Sequence, residues 1–250
     1  MAILIKRLGL FLILHLFIFD ALLCNDFNLN TARKEFLLGN YRDSIDIASQ
    51  IKTYDAKVFQ SRIISIYSFF FRDEKEAKLA YLKAYEIAKK AIQEDTYKAA
   101  AYVEAAHALG RYGQTIGIMS ALSEGIASRV QNYLDKALKI DDHNIIANLS
   151  KGIWHAEIIN QAGKTLAKAI YGADINEALQ HFTKVYNINN NEIGILYELA
   201  YGYHLLDTRE NVNLSLSYIK SLMSKEAKTN IDNLYQKKAL VLKERININR

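Results

Sequence analysis

Along residues 79–92, LAYLKAYEIAKKAI, apolar positions recur at helical spacing. Leu79, Leu82, Ala84, Ile87 and Ile92 form one broad stripe, with Lys83, Glu86 and Lys90 opposite. EIGILYELAYGYHLL does the same through Ile193, Leu196, Leu199 and Tyr203. No stretch alternates apolar and polar residues as a strand would. Gly, Asn and Asp clusters place breaks at Gly39-Asn40, Gly110 to Gly113, Asp141 to Asn144, Gly172 to Asp174, Asn189 to Asn191 and Asp207 to Asn211. The pattern predicts an all-α chain of about ten helices joined by short turns.

The pattern also repeats. KKAIQED (89–95), DKALKID (135–141) and TKVYNIN (183–189) share Lys, a small or apolar pair and a terminal Asp or Asn, at offsets of 46 and 48 residues. Each is followed by a helical segment with a small residue at an equivalent place: Ala106, Gly152 and Ala200. One helix pair cannot bury its stripe alone, so repeated pairs predict a stacked array, an α-solenoid.

Leu196-x2-Leu199-Ala200-x2-Tyr203 resembles the first helix of a tetratricopeptide repeat, and NEALQHFTKVYNIN its second helix, with Ala178, Phe182 and Val185 at the packing positions. LDKALKIDDHN repeats that second-helix ending, and LLGNYRDSIDIA (37–48) resembles the turn inside a unit. The likeness covers roughly residues 30 to 225. Two departures stand out: Asp142 and Asn190 occupy the usual proline place, and the spacing exceeds the family's 34 residues. The extra length falls in longer helices or in inserts such as Gly113 to Gly125 and Gln161 to Gly172. The order GIWHAEI…LAKAIYGA…EALQHFTKVYNI…LAYGY is also similar to the regulator of microtubule dynamics family and its bacterial relatives, from which no activity is carried over.

The tetratricopeptide likeness implies a concave surface lined by first helices. In that register the groove candidates are His107 and Arg111 (with Val103), then Leu149, Ile153 and Glu157, then Tyr197, Tyr201 and His204. Such a surface suits a peptide or partner helix held by apolar contact and oriented by a few charges. The competing reading makes the tyrosines core lining between long helices.

Composition adds a compartment. Lys6 and Arg7 precede an apolar run, Leu8 to Leu23, broken only by His15 and Asp20. That is the layout of a signal peptide over residues 1–24, which predicts export, in a bacterium to the periplasm. Lipid attachment at Cys24, the only cysteine, is the alternative, and it would leave the N-terminal segment as the sole membrane contact. Residues 25–250 then form the repeat domain, ending in a lysine-rich helix, Lys225 to Lys243, read as the cap of the array. The chain has no proline, in keeping with helix throughout. Its net charge of +5 is scattered, which argues against a nucleic-acid partner.

Chemistry is sparse. His155-Ala156-Glu157 matches half of a zinc-deaminase signature, but no cysteine follows Cys24 to complete it. No two histidines fall one helical turn apart, so a metal site would need His107, His155 and His204 to meet between repeats. GRYGQTIG (110–117) lacks the Gly-Lys-Ser/Thr ending of a phosphate loop and reads as a turn between helices, with Arg111 and Gln114 able to touch an anion. Gly152 reads as a close helix approach, Trp154 as buried between units, His155 as packed on its own unit's second helix, and Glu157 as facing the groove. The expectation is a non-enzymatic adaptor for a protein or peptide, without a cofactor. The alternative is a solute-binding accessory subunit of a periplasmic transport system, with an enclosed pocket around Trp154, His155 and Arg111.

Overall fold

The computed structural model describes residues 28–248, so the signal-peptide and Cys24 readings lie outside the described residues. Thirteen helices and no strand occur among them, more than the about ten expected. In chain order they are α1 (Leu29–Leu38), α2 (Tyr41–Gln50), α3 (Tyr54–Phe71), α4 (Glu74–Glu94), α5 (Ala99–Ile116), α6 (Ile118–Ser123) and α7 (Ile126–Ile140). Then follow α8 (Ile145–Ala162), α9 (Lys164–Tyr171), α10 (Ile175–Ile188), α11 (Ile193–Leu205), α12 (Arg209–Met223) and α13 (Asn230–Ile248).

Five antiparallel pairs build the array: α1/α2, α3/α4, α5/α7, α8/α10 and α11/α12. The surplus over the expected count includes α6 and α9, inserted between the two helices of the third and fourth pairs. Side-chain caps start many of the helices. Asn28, Thr53, Asp73, Asn144, Asp174 and Thr208 each accept a backbone N–H from the first turn that follows.

Two sequence expectations move. The break at Gly110 to Gly113 is not there: α5 runs through both glycines and ends at Gly117, whose φ of +80° favours glycine. Gly113 serves packing instead, since a methyl group there would stand 3.1 Å from Cγ2 of Ile126. In α4 the buried face is Ala77, Ala80, Tyr81, Ala84, Tyr85, Ala88 and Ala91, while Leu79 of the expected stripe is 66% exposed. α4 lies between α3 and α5, and alanines let both neighbours approach.

Small side chains serve the same end elsewhere. Ala106 and Ala200 are buried, and Gly152 lies against Phe182 and the Ala178 carbonyl. Three buried serines hold one helix of a pair to a carbonyl of its mate: Ser44 to Ala32, Ser61 to Ala84 and Ser215 to Ala200, at 2.6, 2.9 and 2.7 Å. One core runs from α3 to α11, and a second joins α11, α12 and α13.

The last helix starts at Asn230 rather than Lys225. It covers α11 and α12 as a terminal cap would, and it also reaches the start of the array. The Tyr235 ring lies 5.0 Å from Phe70 of α3 and 5.4 Å from Tyr197 of α11. At its N-terminal end, Asn230 lies so close to Gly39 that a methyl group on the glycine would stand 2.6 Å from Nδ2. α13 therefore bridges the first, second and last pairs.

Candidate functional site: the inner face of the array

Helical spacing on α5 sets His107, Arg111 and Gln114 on one face, at i, i+4 and i+7. Arg111 is the hub. Its guanidinium donates to Glu198 of α11 at 3.0 Å and to Gln114 at 3.2 Å, and Nε lies 3.5 Å from His107 Nε2. Its other side covers the Phe69 ring of α3, 4.3 Å from the centroid. Gln114 donates to Glu157 of α8 at 2.9 Å, and Tyr201 of α11 donates to the same carboxylate oxygen at 2.5 Å. Three first helices, α5, α8 and α11, thus meet through one hydrogen-bonded network, and α3 joins it through the Phe69 ring. A second ion pair continues it along α5, where Arg62 of α3 holds the buried Glu104 at 2.7 Å.

Burial sets the electrostatics. The His107 imidazole is pushed down to about 3, first by burial and then by Arg111 and Arg62, so it is neutral at physiological pH. Burial pushes the Glu198 carboxyl up while Arg111 pulls it down. Burial also opposes the charge on Arg111, and Glu198 with the surrounding tyrosines more than offsets that, holding Arg111 above its ordinary value. The Tyr201 hydroxyl is raised by burial and by Glu157, which keeps it a donor.

Of the groove candidates, His107, Arg111, Glu157 and Tyr201 come together in this network. Leu149 and Tyr197 do not line it freely: they are 4% and 7% exposed, Leu149 in the main core and Tyr197 under the Tyr235 ring. The competing core-lining reading thus fits Tyr197, because α13 covers a face that the register alone leaves open. Ile153 is half-buried against the main core. His204 stands apart near the C-terminal end of α11, its ring lowered by burial with Asp207 opposing. Glu157 does not face the groove alone, since Gln114 and Tyr201 both hold it.

Sequence reasoning passed over Glu198, Phe69, Tyr235 and Lys238. Glu198 follows Tyr197 directly, but its meeting with Arg111 joins the fifth pair to the third, which no local pattern shows.

The other motifs resolve locally. Trp154 is buried, and its indole N–H donates to the Ala127 carbonyl of α7 at 2.9 Å. His155 stacks on His181 of α10 at 6.1 Å and accepts the Asp174 N–H at 3.1 Å. His107, His155 and His204 therefore form no cross-repeat cluster, and among the described residues no group of three or more His, Cys, Asp or Glu could hold a metal. An open groove of about 860 Å³ lies along α10 and His143, and a smaller recess of about 410 Å³ lies at the Gly39–Asn230 seam. Neither is lined by Trp154, His155 or Arg111.

The His155–His181 pair sets a pH dependence. Both rings are lowered to about 4, first by burial and then by Lys151, with Asp135 pulling the other way on both, Asp174 also on His155, and Lys184 adding to the lowering of His181. The unfolded chain takes up these protons near 6.5 and the folded one only near 4. This contribution to stability is therefore whole above pH 6.5 and is lost as the pH falls toward 4. Thermal melts across that range should show a drop of several degrees that is much smaller in His155→Gln/His181→Gln. The buried Glu104 and Glu198, both raised, push the other way, and the comparison cancels them.

The sequence model of a known family, regulator of microtubule dynamics protein 1-3, matches residues 37–247. The chain belongs to the regulator of microtubule dynamics family. The match runs from the end of α1 almost to the end of α13, so the inner-face network and the helix that crosses it both lie within the family region. No curated protein matches this family member. No described helix is long and apolar enough to cross a membrane.

Proposed function

We propose that this family member is an exported, tetratricopeptide-like scaffold that binds a helical segment of another protein on its inner face, without catalysing a reaction. One observation carries the reading: the inner face already accepts a helix. α13 seats the Tyr235 ring on Gly194, where a methyl group would stand 3.0 Å from the ring, and lays Lys238 over Phe69. That is helix-in-groove recognition, an apolar anchor with polar groups beside it. Glu157 and Tyr201 supply directional hydrogen bonding next to the anchor. Export rests on the layout of residues 1–24. The alternative, a solute-binding subunit, draws less support, because the Trp154 indole is engaged by the Ala127 carbonyl of α7 and His155 by the Asp174 N–H, and neither joins Arg111 around a cavity.

A photo-crosslinking side chain at Glu157 or Tyr201, introduced in the native host, tests this. The expected result is an adduct with a second protein at both positions and none at Tyr97, which is 87% exposed on the α4–α5 turn. Equal labelling at all three positions, or none at 157 and 201, would overturn the reading.

A further inference from the structure

α13 is a poor fit for the face it covers. Of its nineteen residues only Ala239, Leu242 and Ile246 are buried, while Leu240, Val241 and Ile248 are exposed. The charges are also mismatched. Lys238 Nζ lies 4.6 Å from the centroid of the Phe69 ring, and Arg111 lies 4.3 Å from the same centroid. Two cations thus share one ring, and the nearby Glu198 carboxylate is already engaged by Arg111. Lys238 makes no ion pair among the described residues. Burial, then Arg111 and Arg245, lowers the Lys238 ammonium, in keeping with a cation in an electropositive place.

Resting on the groove reading above, we propose that α13 is an in-cis occupant of the inner face, displaced by a partner's amphipathic helix that carries an acidic residue where Lys238 now sits. The geometry specifies that helix. It has an aromatic residue in the place of Tyr235, an acid three positions later, and apolar residues in the places of Ala239, Leu242 and Ile246. The acid would put a negative charge beside the ring that Arg111 covers, where α13 now places a second positive one. The face selects an acidic helix over α13 itself, and α13 keeps other apolar segments out until that helix arrives.

Two labelled peptides provide the test, one with the sequence of residues 230–248 and one with Lys238→Glu in it. Each is titrated into the full chain and into the full chain carrying Tyr235→Ala/Leu242→Ala, which loosens α13. The acidic peptide should bind the loosened chain about tenfold more tightly than the native peptide does, and about tenfold more tightly than it binds the unaltered chain. Equal affinity for both chains would overturn in-cis occupancy and leave the groove reading standing. Equal affinity of both peptides would overturn the acidic partner. If neither peptide bound a loosened chain of normal helicity, the groove reading would fall as well. An α13 exchanged between two copies, seen as a dimer, would also count against in-cis occupancy. Independently of the loosened variant, Lys238→Glu in the full chain should slow hydrogen exchange along α13 about tenfold. Unchanged exchange would contradict the charge argument.

Discussion

Phe182→Ala is expected to cost about 3–5 kcal/mol of stability. The ring is fully buried and stands between two glycines on different first helices. A methyl group at Gly152 would lie 2.5 Å from its Cε1, and one at Gly202 would lie 2.4 Å from its Cζ. The Tyr203 ring, 5.1 Å away, closes a third side. Because the wall beside the ring is partly backbone, it cannot collapse into the space that truncation leaves. Urea denaturation would measure the loss, and a value below about 1 kcal/mol would mean that α8 and α11 can close over the gap. The complementary change follows from the same contact. Gly202→Ala alone should destabilise by overpacking, and Phe182→Leu in the same chain should recover part of that loss.

Glu198→Gln should destabilise by about 3–5 kcal/mol, because it leaves the Arg111 guanidinium without its carboxylate in a place where both side chains are 14% exposed. Replacing both partners, as in Arg111→Met/Glu198→Leu, removes two desolvated charges together and should return most of that loss. Recovery should be incomplete, since Gln114 and His107 also lose the guanidinium. A double-mutant cycle measures the coupling directly. Additive losses would show that the pair does not act as a unit and that water reaches it.

Much of this fold was legible because its signals are local. Helical period, the 46- and 48-residue spacing and the small residues at Ala106, Gly152 and Ala200 all lie within a helix or between successive pairs. Gly113 was misleading for a physical reason: a glycine signals a helix end or a close contact, and only the position of Ile126 decides which. On α4 the larger side chains drew the stripe onto Leu79, whereas close packing selected the alanines. In the inner face, His107, Arg111, Glu157 and Tyr201 were readable from register. Glu198 was not, because its pairing with Arg111 spans 87 residues and joins the third pair to the fifth. The placement of α13 was equally hidden. Its buried positions form a narrow stripe, and the exposed Leu240 and Val241 blur which face turns inward.

A string of helix pairs that touched only their neighbours would stretch like a spring and fray from its ends. The bridge that α13 makes from the last pair to Phe70 and Gly39 ties the two ends of the described array together while α13 is seated. While α13 is seated, the first and last pairs are held together and neither frays alone; its displacement releases both. The bridge also sets an order of assembly. The first pairs can form as they leave the ribosome, but the bridge cannot close until residues 230–248 have followed. Until then Tyr197 and Gly194 lie uncovered, and the unfinished chain exposes the surface that the finished one keeps closed.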